Sequence, residues 1–241
     1  EIPLRLVGSE MCIRDSMKNM KILNLDLSSP TNFISIKKIK RRPDDKISLI
    51  SSWIREEQDS FDILLLQGKE VKKIANRIAF DCEYSNYSAF FAEKANTGIL
   101  IDKTFSVVGY SNFSNVGNLV VVSTDDNQYL NFLSVYLTNT SSLKSFFEYY
   151  DHLIFSDKTG KTSMIVGGVF PSLSSIRKLT GSDYHLIDSC FVIDQSSSSV
   201  RDDTERILTS PDIITSDTYR GLGMVLEKVL MRSPIATKIS R

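Results

Sequence analysis

The sequence predicts an α/β (α+β) domain in which mixed β-sheets pack together beneath outer helices. Three observations predict it. Short apolar runs rich in β-branched residues recur along the chain, each bounded by turn residues. Apolar stripes at helical spacing fall between some of these runs. The runs between residues 98 and 137 follow one another so closely that they read as antiparallel hairpins, which a purely parallel doubly wound sheet would not contain.

Taken in order, Lys21–Leu25 reads as the first strand. A helical segment from Pro43 to Asp59 follows, with Ile47, Ile50, Trp53 and Ile54 on one stripe. Phe61–Gln67 is the second strand-like run, and Val71, Ile74, Ala75 and Ile78 form a second helical stripe. Gly98–Ile101, Asn118–Ser123 and Tyr129–Leu137 are the closely spaced strands. Leu143, Phe146, Phe147, Tyr150 and Ile154 then mark a third helix, with Thr140, Ser141 and Ser142 as capping candidates. Ser163–Gly167, Leu186–Asp188, Asp212–Thr215 and Ile235–Ile239 complete the strands, and the polar stretch Gln195–Asp203 reads as an exposed loop. The almost continuously apolar strands are expected to be buried on both faces.

Residues 1–16 read as a translated adapter, a non-native extension without the apolar core and small-residue cleavage site of a signal peptide. Met17 is the expected start, and 17–241 is expected to form one domain. Hydrophobic residues make up 41% and charged residues 24%, which is ordinary globular composition. Lys plus Arg and Asp plus Glu number 29 each, so no global positive field argues for a nucleic-acid partner. Beyond Cys12 only Cys82 and Cys190 remain, neither a disulfide framework nor a zinc site, which fits a reducing, cytoplasmic (intracellular) setting. No apolar stretch approaches the roughly 18 residues of a membrane span.

Four motifs carry possible chemistry. Lys158–Ser163 contains Gly-Lys-Thr, but a phosphate-binding loop needs a Gly where Phe155 stands and must open a helix. It reads as a connector. The cluster Lys37, Lys38, Lys40, Arg41 and Arg42 could contact phosphates, although a solvated edge is the simpler reading. His152 and His185 have no Ser, Cys or metal-ligand constellation at useful spacing. The aromatic run Phe146–Tyr150 reads as core and rim.

In order along the chain, several segments resemble motifs of the endonuclease/exonuclease/phosphatase (DNase I-like) superfamily. Lys21–Leu25 is similar to its first strand, with Asn24 as the metal-site Asn; Asp62–Gln67 resembles its DIxxLQE strand. Val135–Asn139 resembles VYxPN, and Met164–Pro171 stands where xIxxGDFN would. Ser210–Ile214 resembles the late xxDYIL strand, and Val229–Ile235 stands where LSDHxPI closes the family. The resemblance implies a four-layer sandwich, two packed mixed sheets flanked by helices. It also implies Mg²⁺-dependent hydrolysis of phosphate esters in nucleic acids, inositol phosphates or lipids. A Glu and an Asn would hold the hard cation, an Asp would activate water, and an Asn and a His would stabilise phosphoryl charge.

The chain departs from that pattern where the chemistry is concentrated. The metal-binding Glu falls on Gly68, the GDFN Asp and Asn on Val169 and Pro171, and the SDH Asp and His on Met231 and Arg232. Tyr136, Asn139 and Asp212 are the catalytic remnants, and Asn24 survives from the metal set. The expectation is a catalytically degenerate pseudoenzyme with no resident metal. Its cleft would hold a phosphate-bearing ligand or nucleic acid through Asn24, Arg232 and the 37–42 basic cluster, or it would serve a protein partner. The alternative is an active Mg²⁺-dependent phosphodiesterase or nuclease with ligands relocated to Glu70 and Asp217, Asn24 and Glu70 being the metal candidates. A further alternative is an unrelated α/β protein.

Overall fold

The computed structural model describes residues 20–28, 61–74, 86–113, 115–123, 129–156, 162–179, 187–188, 205–210, 213–214, 217–220 and 224–231. The expected helix at 43–59, the basic cluster 37–42, the loop 195–203, the strand 235–239, and Asp212, Arg232, His185 and both later cysteines lie outside the described residues. The described strands are β1 (Met20–Asp26), β2 (Ile63–Gln67), β3 (Tyr87–Ala92), β4 (Thr97–Asp102), β5 (Ser106–Phe113), β6 (Gly117–Ser123), β7 (Tyr129–Tyr136), β8 (Thr162–Val169), β9 (Ile187–Asp188), β10 (Glu205–Thr209), β11 (Ile213–Ile214), β12 (Asp217–Arg220) and β13 (Met224–Met231). Two helices are fully traced, α1 (Thr140–Ser156) and α2 (Leu173–Leu179), and 71–74 is also helical.

The strands form two mixed sheets. The first has seven strands in the order β11-β13-β1-β2-β4-β3, with β12 also paired to β13; the second has six, in the order β5-β6-β7-β8-β10-β9. One parallel pair lies at the heart of each, β1–β2 and β7–β8, and the other pairings are antiparallel.

Alternation along each central strand explains the continuous apolar runs. Ile63 and Leu65 of β2 join Ile22, Ile99, Val120, Phe132, Ile165 and Ile207 in the layer between the sheets. Leu64 and Leu66 of the same strand turn outward to Val71, Ile74, Leu25 and Leu100. On the second sheet, Leu133, Val135 and Val166 turn outward to Phe146, Phe147 and Tyr150 of α1 and Ile176 of α2. Side chains alternate with period two, so a strand apolar on both faces is a strand between two layers. Three apolar layers separate four layers of structure, which is the α+β sandwich expected from the sequence.

Several elements had no clear sequence signal. β3 and β5 are edge strands, and β5 (Ser-Val-Val-Gly-Tyr-Ser-Asn-Phe) is exposed over most of its length, so it has no apolar face to announce it. β10 is a five-residue strand that opens on Glu205 and Arg206, and Arg206 is buried all the same. α1 begins where expected, but its cap is Asn139, one residue before the proposed Thr140-Ser141-Ser142. Asn139 Oδ1 accepts the Ser142 N–H at 2.8 Å, and Ser142 Oγ accepts the Asn139 N–H at 3.3 Å, a reciprocal capping box. The short α2 is capped by Ser172, whose Oγ accepts the Ser175 N–H at 3.3 Å.

The aromatic run is core and rim as expected. Phe146 is fully buried, and Tyr149 stacks on Phe113 with ring centroids 3.9 Å apart. Burial holds the Tyr149 hydroxyl above the usual tyrosine value of 10.0, a shift partly offset by its hydrogen bond with Ser111. No helix among the described residues is long and apolar enough to cross a membrane.

Phe146→Ala is expected to cost about 3–5 kcal/mol in denaturant titration, because it opens a cavity beneath α1. The raised Tyr149 hydroxyl keeps its proton longer in the folded state than in the unfolded chain. Stability is therefore unaffected below pH 10 and falls as pH rises past 10 towards the folded-state value. Tyr149→Phe should shallow that alkaline loss in pH-dependent melts.

Candidate functional site

The layer between the sheets is apolar through its middle and changes character at one end. Where β1, β2 and β7 finish and β4 and β6 start, the inward positions are Asn24, Gln67, Ser134, Thr97 and Asn118, all fully buried. Register makes this two facing rows. Thr97 stands opposite Gln67, and Gln67 beside Asp26, on the first sheet. Asn118 stands opposite Ser134, and Ser134 beside Gly167, on the second.

Gln67 joins the rows. Its Nε2 donates to Asn24 Oδ1 at 2.8 Å and to Ser134 Oγ at 2.9 Å. Ser134 Oγ in turn donates to the Leu66 carbonyl at 3.0 Å. Gly167 makes room for this bridge, because a Cβ there would lie 2.5 Å from Asn24 Oδ1 and 2.4 Å from Leu65 Cδ1.

Beyond the polar layer the strands open onto a cleft of about 520 Å³, lined among others by Lys69, Asn96, Asn115, Tyr136, Thr138, Asn139 and serines of the first turns of α1. Local backbone chemistry shapes it. β2 ends because Gly68 turns at φ +115, a conformation that favours glycine. The Gly68 N–H donates to the Asn96 carbonyl at 2.9 Å, and Asn96 is itself left-handed at φ 55 after the 3-10 turn Glu93–Ala95. Tyr136 closes the opposite side, its hydroxyl 3.2 Å from Ser28 Oγ.

The cleft suits an anion. Lys69 supplies a cation, no carboxylate lines the wall among the described residues, and the exposed first turn of a 17-residue helix adds partial positive charge. Asn139 Oδ1 is occupied by the cap, which leaves its amide N–H groups as donors.

Tyr136 and Asn139 therefore come together in the cleft, whereas Asn24 lies in the buried layer and not on the cleft wall. Glu70 is half-buried and opens the helical turn 71–74, with its carbonyl accepting the Ile74 N–H at 3.0 Å; it does not line the cleft. Asp217 sits on β12 opposite Glu227 of β13, at a level nearer the start of β1 than its end. Asp212, Arg232 and the basic cluster 37–42 lie outside the described residues. Sequence reasoning missed Lys69, Asn96, Gln67 and Ser134. Lys69 follows directly on the recognised strand, but nothing in the sequence shows that Gly68 turns it towards the cleft.

The described residues do not fit a Mg²⁺ site. Position 68, where the resemblance expects a carboxylate ligand, holds Gly68 in a backbone conformation strained for any side chain, and a Cβ would meet Ser28 Oγ at 2.5 Å. The Asn24 oxygen already accepts an N–H. Val169 lies in register between Tyr136 and Glu205 where an acidic group is expected. Among the described residues no group of three His, Cys, Asp or Glu side chains could hold a metal, and a hard cation such as Mg²⁺ is ordinarily held through at least one carboxylate.

No protein-family model matches the chain, and no curated protein matches it. Solved structures do. The human Nocturnin catalytic domain with bound sulfate anion superposes with a TM-score of 0.65 at 12% identity, covering 87% of this chain and 93% of that one. An endonuclease/exonuclease/phosphatase family protein from Bacteroides thetaiotaomicron gives a TM-score of 0.61 at 12% identity, over 87% and 96%. D. rerio TDP2 complexed with single-strand DNA product gives 0.60 at 9% identity, over 88% and 99%. The fold is that of the endonuclease/exonuclease/phosphatase, DNase I-like, proteins.

Gln67→Leu is expected to cost about 1–3 kcal/mol in equilibrium unfolding, because it strips Asn24 and Ser134 of a buried partner.

Proposed function

We infer that residues 17–241 act as one domain that binds a phosphate-bearing ligand without hydrolysing it, a pseudoenzyme retained for binding or assembly. The observation that carries this reading is Gly68. The backbone there turns at φ +115 against Ser28, so the site is shaped around the loss of a side chain and not merely deprived of one. The magnitudes agree. Loss of one preorganised electrostatic stabiliser costs roughly 10²–10³ in rate, and a general acid or base contributes roughly 10²–10⁴. Val169, Pro171, Met231 and Arg232 stand where the resemblance expects such groups.

Binding is left with suitable chemistry. Lys69 offers charge, Tyr136 and Asn139 offer neutral donors, and the start of α1 offers backbone N–H groups. Arg232 would add a bidentate phosphate donor, and Lys37, Lys38, Lys40, Arg41 and Arg42 would follow a nucleic-acid backbone. Asn24 acts as framework in this reading. A neighbour complexed with a single-strand DNA product supports single-stranded DNA as the first probe, and one with bound sulfate supports an oxyanion site.

Calorimetry with Mg²⁺ should give no specific isotherm, while labelled single-stranded DNA should bind in the presence of EDTA. Lys69→Ala should weaken that binding about tenfold, the loss of one charge-assisted contact of about 1.4 kcal/mol. Supercoiled DNA, RNA and phosphoinositides should survive incubation with Mg²⁺ or Mn²⁺. Turnover that disappears in Glu70→Ala would instead establish the relocated-ligand enzyme.

A further inference from the structure

Three side-chain oxygens in the buried polar layer have no hydrogen-bond partner among the described residues: Gln67 Oε1, Thr97 Oγ1 and Asn118 Oδ1. Each of these residues is 0% exposed. A buried polar atom left unpaired is costly, and folded proteins rarely keep one, let alone three together.

The three are neighbours. Thr97 faces Gln67 across β4 and β2, and Asn118 faces Ser134 across β6 and β7. Gln67 reaches Ser134 at 2.9 Å, which links the two register pairs between the sheets. Side chains directly opposite on paired strands stand about 4.5–5.5 Å apart at Cβ. Neither amide can solve its own difficulty by turning over. The Gln67 nitrogen is held by Asn24 and Ser134, and the Asn118 nitrogen donates to the Phe90 carbonyl at 3.0 Å. The layer is therefore short of two donors, for the amide oxygens, and one acceptor, for the threonine hydroxyl.

We propose that a single internal water molecule binds among Gln67, Thr97 and Asn118 and is a fixed component of the fold. Water matches the deficit in kind and number. Its two O–H groups donate to Gln67 Oε1 and Asn118 Oδ1, and its oxygen accepts the Thr97 hydroxyl proton, giving the three bonds typical of buried water. A monovalent cation matches less well. It would satisfy the oxygens, yet these three groups are neutral and leave its charge unbalanced in a buried layer. The water has a positioning consequence. It holds Gln67 Oε1, and so points Gln67 Nε2 at Asn24 and Ser134 beneath the cleft. This site is independent of whether the cleft binds phosphate.

A crystal structure of the unaltered chain, refined to a resolution that shows ordered solvent, tests the site directly. The expected result is one density peak about 2.7–2.8 Å from all three oxygens, the usual O–H···O separation. A second measurement uses Thr97→Val, a near-isosteric change that removes the proton the water accepts. Its melting temperature should fall, whereas Thr97→Ser should keep the density peak. An empty space in the crystal, a peak at cation–oxygen distances of about 2.3–2.6 Å, or a rise in melting temperature for Thr97→Val would each overturn the proposal. That rise is what a hydroxyl buried dry would give, since removing it relieves an unpaid desolvation cost. If Thr97→Val fails to fold, the crystal structure still decides.

Discussion

Two sheets can pack closely only if the side chains between them leave no polar atom stranded, and this constraint governs the molecule. Through the middle of the sandwich it is met by exclusion: Ile22, Ile63, Leu65, Phe132 and Ile165 present nothing but hydrocarbon. At the cleft end it is met by pairing, with the Gln67 amide spanning from Asn24 to Ser134. An amide bridging two sheets fixes their spacing and register more narrowly than interdigitated aliphatics do, because a hydrogen bond weakens steeply with misalignment. Gly167 follows from the same demand, since a larger residue would occupy the space the bridge needs.

The cleft inherits its shape from that floor. Tyr136 lies two residues beyond Ser134 on the same face of β7, and Gly68 directly follows Gln67. Once the bridge sets the ends of β2 and β7, the turn at Gly68 and the cap at Asn139 determine what the opening presents. The result, among the described residues, is a cationic, hydroxyl- and amide-rich wall without carboxylates. Such a surface favours an anion and disfavours a hydrated divalent ion. Asn139 serves both structure and opening: one end of its amide starts α1 and the other remains a donor.

The fold was largely legible in the sequence because the central strands carry their burial on both faces, and Lys21–Leu25, Phe61–Gln67 and Tyr129–Leu137 announce themselves. β3, β5, β10, β12 and β13 were not legible: β3 and β5 lie on edges, β10 is short and charged at its start, β12 is a short polar run, and β13 carries Glu227 and Lys228 in its middle. The site was legible only in part. Tyr136 and Asn139 emerged from motif order, and both line the cleft. Lys69 and Asn96 did not, because their placement depends on left-handed backbone at Gly68 and Asn96, which composition does not encode. Asn24 emerged for its chemistry, yet its surroundings are those of a buried framework residue.

The outermost strand of the second sheet has its own bearing on how the protein behaves at high concentration. β5 carries no charge or proline; Val108 is 54% exposed, and Tyr110, whose ring packs on Phe90, is still 45% exposed. A straight margin of that kind would be a template for stacking copy upon copy. The irregularity between Val107 and Gly109 interrupts the regular ladder with β6, and bulges of this sort bend a strand and increase its twist. At this margin a kink in the main chain stands where many proteins place a lysine.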